Sequence, residues 1–417
     1  MLGYFPTIYK DELLYSAFAR YSSIRGLSSS KAIVRELLGS TVKTMFELPS
    51  NISYFSNQVS HFKLGTPEKL IHNYTMYGYY TAFLSEDDSK EVMNNMITNG
   101  GKKVYAKVGL LATDVPLRNK PFVCEKCIEE MLEKAGEFYI NRLHQLPGVF
   151  YCHIHKDQIL RVVGFDVRAG NRHKFYFDNN LYKKDKMREL PLVLDLELNK
   201  RDKEFHDNVQ RNSIYLFNYH QRPGIRCVKE ALREKLKEKN GISVNGSINS
   251  NCLKERVDRR LSDSLAKLYG INKSNIDFAI DILRRNNRKT HPFKYLVLSE
   301  ILEVNICDVL AFKPKSKMLL PCLNKLCKNY GLELIDDYSI TADYKNREPV
   351  LTVRCQICGF KYSRKENGNP LKFGRVKEFG ELWMNELKKI ENDDSMSLRA
   401  KAKHMHCDPG TIKKYSY

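Results

Sequence analysis

The sequence predicts a mainly α, multi-domain chain with small zinc-bound β elements. Three observations predict it. Apolar residues at helical spacing, opened by capping residues and closed by glycines, recur through most of the 417 residues. Eight or so of the eleven cysteines sit in close pairs or near histidines, at spacings that suit metal ions. The strand-like runs are short and gather around the second set of cysteines. At roughly 150 residues per domain, the length suggests about three domains.

The elements follow in order. In DELLYSAFARYS (11–22), Asp11 is placed to cap a helix whose Leu14, Phe18 and Tyr21 share one face, and Gly26 closes it. Ser28 or Ser29 then opens a second helix, closed by Gly39. From 66 to 112 the pattern stays helical, with caps at Thr66 and Ser85 and a break at Gly100-Gly101. Residues 165–212 are polar and mixed, and read as a connection with a weak strand or two. Residues 224–310 are helical again, interrupted at 239–251. ELIDDYSITADY and EPVLTVRC then read as short strands, and 374–417 as helix.

The first quartet is Cys124-x2-Cys127 followed by Cys152-x2-His155. Each turn offers two ligands to one ion, and the second turn completes a tetrahedron. His144 and His153 are rivals to His155, which is preferred because its spacing mirrors the first pair. Between the turns, IEEMLEKAG reads as a short helix stopped at Gly136. The second quartet is Cys322-x4-Cys327 with Cys355-x2-Cys358-Gly359, the pattern of a zinc ribbon, in which Gly359 suits the positive φ after a knuckle. Four protein ligands leave no position for a reacting water, so both sites read as structural zinc, two ions in all.

The balance of 69 Lys and Arg against 49 Asp and Glu, net +20, favours polyanions, of which nucleic acid is the commonest. No apolar run reaches the about 20 residues of a spanning helix. The N-terminal stretch lacks the pattern of a signal peptide. A cytoplasmic, nucleoid-associated protein that does not engage a membrane is the expectation.

Basic residues concentrate in three places. In ILRRNNRKTHPFKYLVLSEIL (282–302), Arg284, Arg285, Arg288, Lys289, His291 and Lys294 occur with no acid between them, which favours phosphate contact over a solvated face. Pro292 is placed to open the helix that follows. KYSRKENGNPLKFGRVK (361–377) carries Arg364 and Lys365 and reads equally as a backbone-tracking loop or a linker. In SMSLRAKAKHMHCDPGTIKKY (395–415), Ser397 and Asp408 are placed to cap two helices in a helix-turn-helix pattern, with Thr411, Lys413 and Lys414 facing a groove. Its second helix meets Tyr417 so soon that it is either very short or truncated. No P-loop, nucleophile elbow, HExxH or dinucleotide turn occurs, so an enzyme is not expected.

FPTIYKDELLYSAFARY, LPS at 48–50, FVCEKC…GEFYINRLHQLPGVFYCHIH and RRNNRKTHPFKYLVL together resemble the TniQ/TnsD family, target-selection proteins of Tn7-like transposons. The resemblance covers nearly the whole chain. His153 stands where the family usually has proline. The resemblance implies a TniQ-type domain at 1–165 containing a zinc finger at 122–157. A connecting region at 166–213, a helical DNA-binding domain at 214–312, a zinc ribbon at 313–366 and a helix-turn-helix at 370–417 would follow. It also implies binding to an attachment site in double-stranded DNA. The AAA+ regulator TnsC would be recruited there, and through it the transposase. The alternative is the shorter TniQ type, an adaptor to an RNA-guided CRISPR effector. The long basic C-terminal half favours the TnsD type.

Overall fold

The computed structural model describes residues 1–416 except 112, 114, 117, 168–169, 178–189, 195–197, 285–287, 315–317, 344, 347, 367 and 370. The chain divides into two units, residues 1–238 with 250–313, and residues 239–249 with 314–417.

In the first unit, α1 (Leu14–Arg25) and α2 (Ser30–Leu38) end at Gly26 and Gly39, both left-handed, and Ser29 caps α2 by accepting from Ala32 N–H. Asp11 does not cap α1. Its own φ is 57°, and its carboxylate takes Arg142 Nη2 at 3.2 Å instead. Burial is not confined to the face of Leu14, Phe18 and Tyr21, since every residue from Leu14 to Tyr21 is buried. Glu12, fully buried, is held at that entry. It accepts from Tyr9 N–H at 3.0 Å, Ser16 Oγ at 2.7 Å and Arg20 Nη2 at 2.7 Å. Arg20 also reaches Glu137 at 2.7 Å, which joins the N-terminal segment to the first cysteine finger.

Next come α3 (Ile52–Gln58), α4 (Pro67–Tyr74), α5 (Tyr77–Thr81), α6 (Glu86–Ile97) and α7 (Gly101–Lys107). Thr66 and Ser85 cap α4 and α6 as their sequences predict. β1 (Phe122–Val123) and β2 (Arg161–Val162) pair antiparallel, and α8 (Glu125–Ala135) follows β1, stopping at left-handed Gly136.

The segment read as a connection contains an 18-residue helix, α9 (Lys200–Phe217), capped by Asn199. Its buried stripe of Phe205, Val209 and Leu216 is interrupted by equally buried Asp202, His206 and Ser213, which disguises the helical period. Asp202 pairs locally with the cap residue Asn199, while the other two find partners through tertiary contact. Ser213 Oγ donates to Pro147 O at 2.7 Å, and the imidazole of His206 meets the Tyr269 hydroxyl at 3.0 Å. The remaining helices are α10 (Ile225–Glu238), α11 (Ser250–Arg260), α12 (Asp263–Tyr269), α13 (Asp277–Leu283), α14 (Pro292–Ile301) and α15 (Ile306–Ala311). α14 is buried along its whole length.

In the second unit, β3 (Leu320–Pro321) pairs antiparallel with β4 (Glu333–Ile335). β5 (Tyr338–Ala342), β6 (Pro349–Arg354), β7 (Lys361–Lys365) and β8 (Arg375–Glu378) form an antiparallel sheet in that order. Residues 361–377, read as loop or linker, thus supply two strands. The alternation of β7 is masked because one of its two inward positions is the buried Arg364 rather than an apolar residue. Three helices close the unit, α16 (Gly380–Glu391), α17 (Leu398–His404) and α18 (Pro409–Tyr415), with Ser397 and Asp408 capping the last two. They pack on Trp383, Leu387, Ala402, Met405 and Ile412. Trp383 Nε1–H donates to Met405 O at 3.2 Å.

Candidate metal centres and nucleic-acid interface

β1 delivers Cys124 to the start of α8, and Cys127 lies on that helix's first turn. Cys152 and His155 come from the loop that α9 clamps, where Gln210 Oε1 accepts from Phe150 and Tyr151 N–H at 3.0 Å each. His155 Nδ1 lies 3.6, 3.4 and 3.7 Å from the sulfurs of Cys124, Cys127 and Cys152, and the last two sulfurs are 3.5 Å apart. A zinc ion with sulfur arms of about 2.3 Å and a nitrogen arm of about 2.05 Å has tetrahedral edges of about 3.8 Å (S···S) and 3.6 Å (S···N). The four distances lie close to those edges, all four donor atoms lie within 4.8 Å of one another, and the sulfur spacing is far too long for a disulfide. All eleven cysteines are free. Hydrogen bonds among the three thiols push Cys152 down and Cys127 up, so the cluster shares its protons until a metal displaces them.

The three histidines differ in which thiols they group with. His155 is the imidazole grouped with all three thiols. His144, almost fully buried, brings its Nε2 to 3.5 Å from Cys152 Sγ. The His153 ring faces His144 at 5.5 Å, and its Nδ1 is buried without a partner. These two group with Cys152 alone. Sequence reasoning missed Glu130. On the outer side of the centre, His155 Nε2–H donates to its Oε1 at 2.8 Å. A carboxylate on the far nitrogen fixes the ring and raises its basicity as a ligand. The signal was available, since Glu130 lies three residues after Cys127 on the same helix.

Cys322, Cys327, Cys355 and Cys358 form the second group, all buried, with Cys322 and Cys358 sulfurs 3.7 Å apart. The knuckle after β6 closes through Gly359 N–H to Cys355 O at 2.9 Å, and Gly359 adopts φ 72° as its place in the turn requires. Gly380, φ 81°, lets the start of α16 approach so closely that a Cβ there would collide with Cys358 O. Tyr362 Oη donates to Pro321 O at 2.7 Å and fastens β7 to the first knuckle. The thiol hydrogen bond from Cys322 holds Cys358 down at about 5. Both groups can hold a metal ion, and both have the soft, closed donor sets that suit structural zinc.

The basic residues are distributed less uniformly than their sequence suggests. Arg284 and Arg288 are about half exposed, and both pair with Asp281, at 3.1 and 3.2 Å. Arg285 lies outside the described residues. Lys289 is drawn to Asp88 at 2.7 Å. His291 is buried and caps α14 through its Nδ1, which accepts from Phe293 N–H, and Lys294 is buried beside it. Neither presents its side chain to solvent. Arg364 is buried too, donating to Gly368 O at 2.6 Å, and Lys365 pairs with Glu348 at 2.9 Å. In the last helix pair, Thr411 Oγ1 donates to Asp408, whereas Lys413 and Lys414 are exposed. Arg399 and Lys403, not singled out from the sequence, are exposed on α17.

No helix among the described residues is long and apolar enough to cross a membrane. Comparison with known proteins adds two family matches. A family described as TniQ matches residues 4–159, and one described as Tn7-like transposition protein D matches residues 209–417. The Transposon Tn7 transposition protein TnsD of Escherichia coli is 28% identical over 174 residues, 42% of this chain and 33% of that protein. The match therefore spans about a third of the relative's length.

Proposed function

The chain belongs to the Tn7-like transposition protein D family, and from that premise we propose that it selects the target by binding a specific site in duplex DNA, without catalysing strand chemistry itself. One observation carries the reading. The family match over 209–417 includes both the four-cysteine ribbon and the terminal helix pair, where Arg399, Lys403, Lys413 and Lys414 stand exposed. α17 and α18 act as the helix-turn-helix, with the start of α18 entering the major groove. Arg284 and Arg288 add phosphate contacts by exchanging Asp281 for the DNA backbone. The ribbon's zinc ion holds the knuckle at Cys355–Cys358 against the start of α16 in the same unit, and the other ion holds the finger of the first unit. The N-terminal half, matched by TniQ, presents the surface that recruits the AAA+ regulator TnsC and, through it, the transposase.

The immobilised full-length chain is mixed with fragmented genomic DNA and the retained duplexes are sequenced. Enrichment of one site supports the reading. No enrichment overturns it in favour of an adaptor to an RNA-guided effector. Nicking of supercoiled plasmid above background in Mg²⁺ overturns the non-catalytic part. K413A/K414A should weaken binding evenly across sequences and lower the salt slope by about 2, at about 1 per lost phosphate contact.

A further inference from the structure

The first unit carries a cavity of about 1010 Å³ that neither the metal centres nor the DNA-binding elements use. One wall is the 41–46 segment, fixed edge-on to residues 172–174. Thr44 N–H donates to Arg172 O at 2.9 Å, Thr44 Oγ1 reaches Arg172 O and Lys174 O, and the His173 imidazole holds Val42 O at 2.8 Å. Gly101, Lys103 and Tyr105 of α7 also line the cavity. The floor is apolar, with Phe46 and Leu110 buried and Leu111 left 70% exposed at the mouth. Lys43, Lys103 and Arg172 stand exposed around it, and no Asp or Glu is among the described residues that line it. His173 braces Arg172 by accepting from its Nε–H at 3.2 Å, so this guanidinium is held at the rim.

We propose that this cavity is a docking site for an acidic peptide segment of a protein partner, with apolar side chains entering the floor and carboxylates meeting Lys43, Lys103 and Arg172. The volume is at the top of the range for enclosed ligand sites, about 300–1,000 Å³, and exceeds what one side chain fills. The charge pattern selects the occupant. Lys289 is matched by Asp88 and Arg284 by Asp281, whereas the described residues around this cavity include Lys43, Lys103 and Arg172 and no Asp or Glu. Carboxylates are what complement it, in the way basic clusters read acidic motifs. A DNA duplex satisfies the rim and leaves the floor empty, because its backbone offers no apolar group at that depth. An acidic peptide with leucine or phenylalanine between its carboxylates satisfies both. The assignment is independent of how the second unit reads DNA.

The test uses the full-length chain and a short fluorescein-labelled peptide alternating Asp or Glu with Leu and Phe, read by fluorescence polarisation. The acidic peptide should bind, and the same peptide with Gln in place of the acids should bind about tenfold or more weaker. K43E/R172E, at two exposed positions, should lower affinity for the acidic peptide by about tenfold or more, with DNA binding and metal content unchanged. Should that variant fold poorly, L111D at the mouth replaces it and should lose binding through the floor. No binding of the acidic peptide, equal binding of the Gln peptide, or indifference to both variants overturns the proposal. So does displacement of the peptide by oligothymidylate of the same charge, which would make the cavity a single-strand nucleic-acid site.

Discussion

Glu130→Ala tests the architecture of the first metal centre at its outermost point. The carboxylate makes no contact with a sulfur. It holds the ring of His155 through a 2.8 Å bond to the nitrogen opposite the ligating one. Removing such a partner costs about 10–100-fold in metal affinity. Two features put this one at the low end, about tenfold. The Glu130 side chain is 44% exposed, and it is shared with Lys134 at 3.2 Å. Glu130→Gln keeps an acceptor without the charge and should lose less. Competition against a chromophoric zinc chelator resolves two sites, and the four-cysteine centre in the other unit serves as the internal reference. Selective weakening of one phase is expected. Unchanged affinity in Glu130→Ala would refute the assignment of His155, and equal weakening of both phases would show a general effect on folding.

The other expectations concern stability. Cys358→Ser should abolish hydrogen-exchange protection across 320–365 while leaving 14–25 protected, because cysteines supply much of the ribbon's core; retained protection would show that the metal is dispensable there. Glu12→Gln leaves a buried Arg20 short of its main counter-charge and should cost about 3 kcal/mol by urea denaturation, the low end for a broken buried pair, since Glu137 and Thr7 O remain as partners. Burial holds His206 down at about 4 and His291 at about 3, so both stay neutral when folded and charge when unfolded. Their contribution is complete above the unfolded pKa of about 6.5 and is lost below it, by up to about 1.4 kcal/mol per pH unit for each. His206→Phe should flatten the loss of melting temperature between about pH 6.5 and pH 5; an unaltered slope contradicts the assignment.

Sequence alone determined what is settled within a few residues. The paired metal-ligand turns, the caps at Ser29, Thr66, Ser85, Ser397 and Asp408, and the left-handed glycines Gly26, Gly39, Gly136 and Gly359 depend on local backbone geometry, which the neighbouring residues impose. Only the tertiary structure decided the rest. α9 escaped detection because its buried His206 and Ser213 read as surface until their partners 63 and 66 residues away are known. His155 is separated from His153 by where a loop turns, and that turn is held by Gln210 on α9. The run from Arg284 to Lys294 looked free of acids, yet Lys289 meets Asp88 from α6, while His291 and Lys294 are buried with α14. A charge's direction is set by the potential of the whole fold, and the groups that create that potential are distant in the chain.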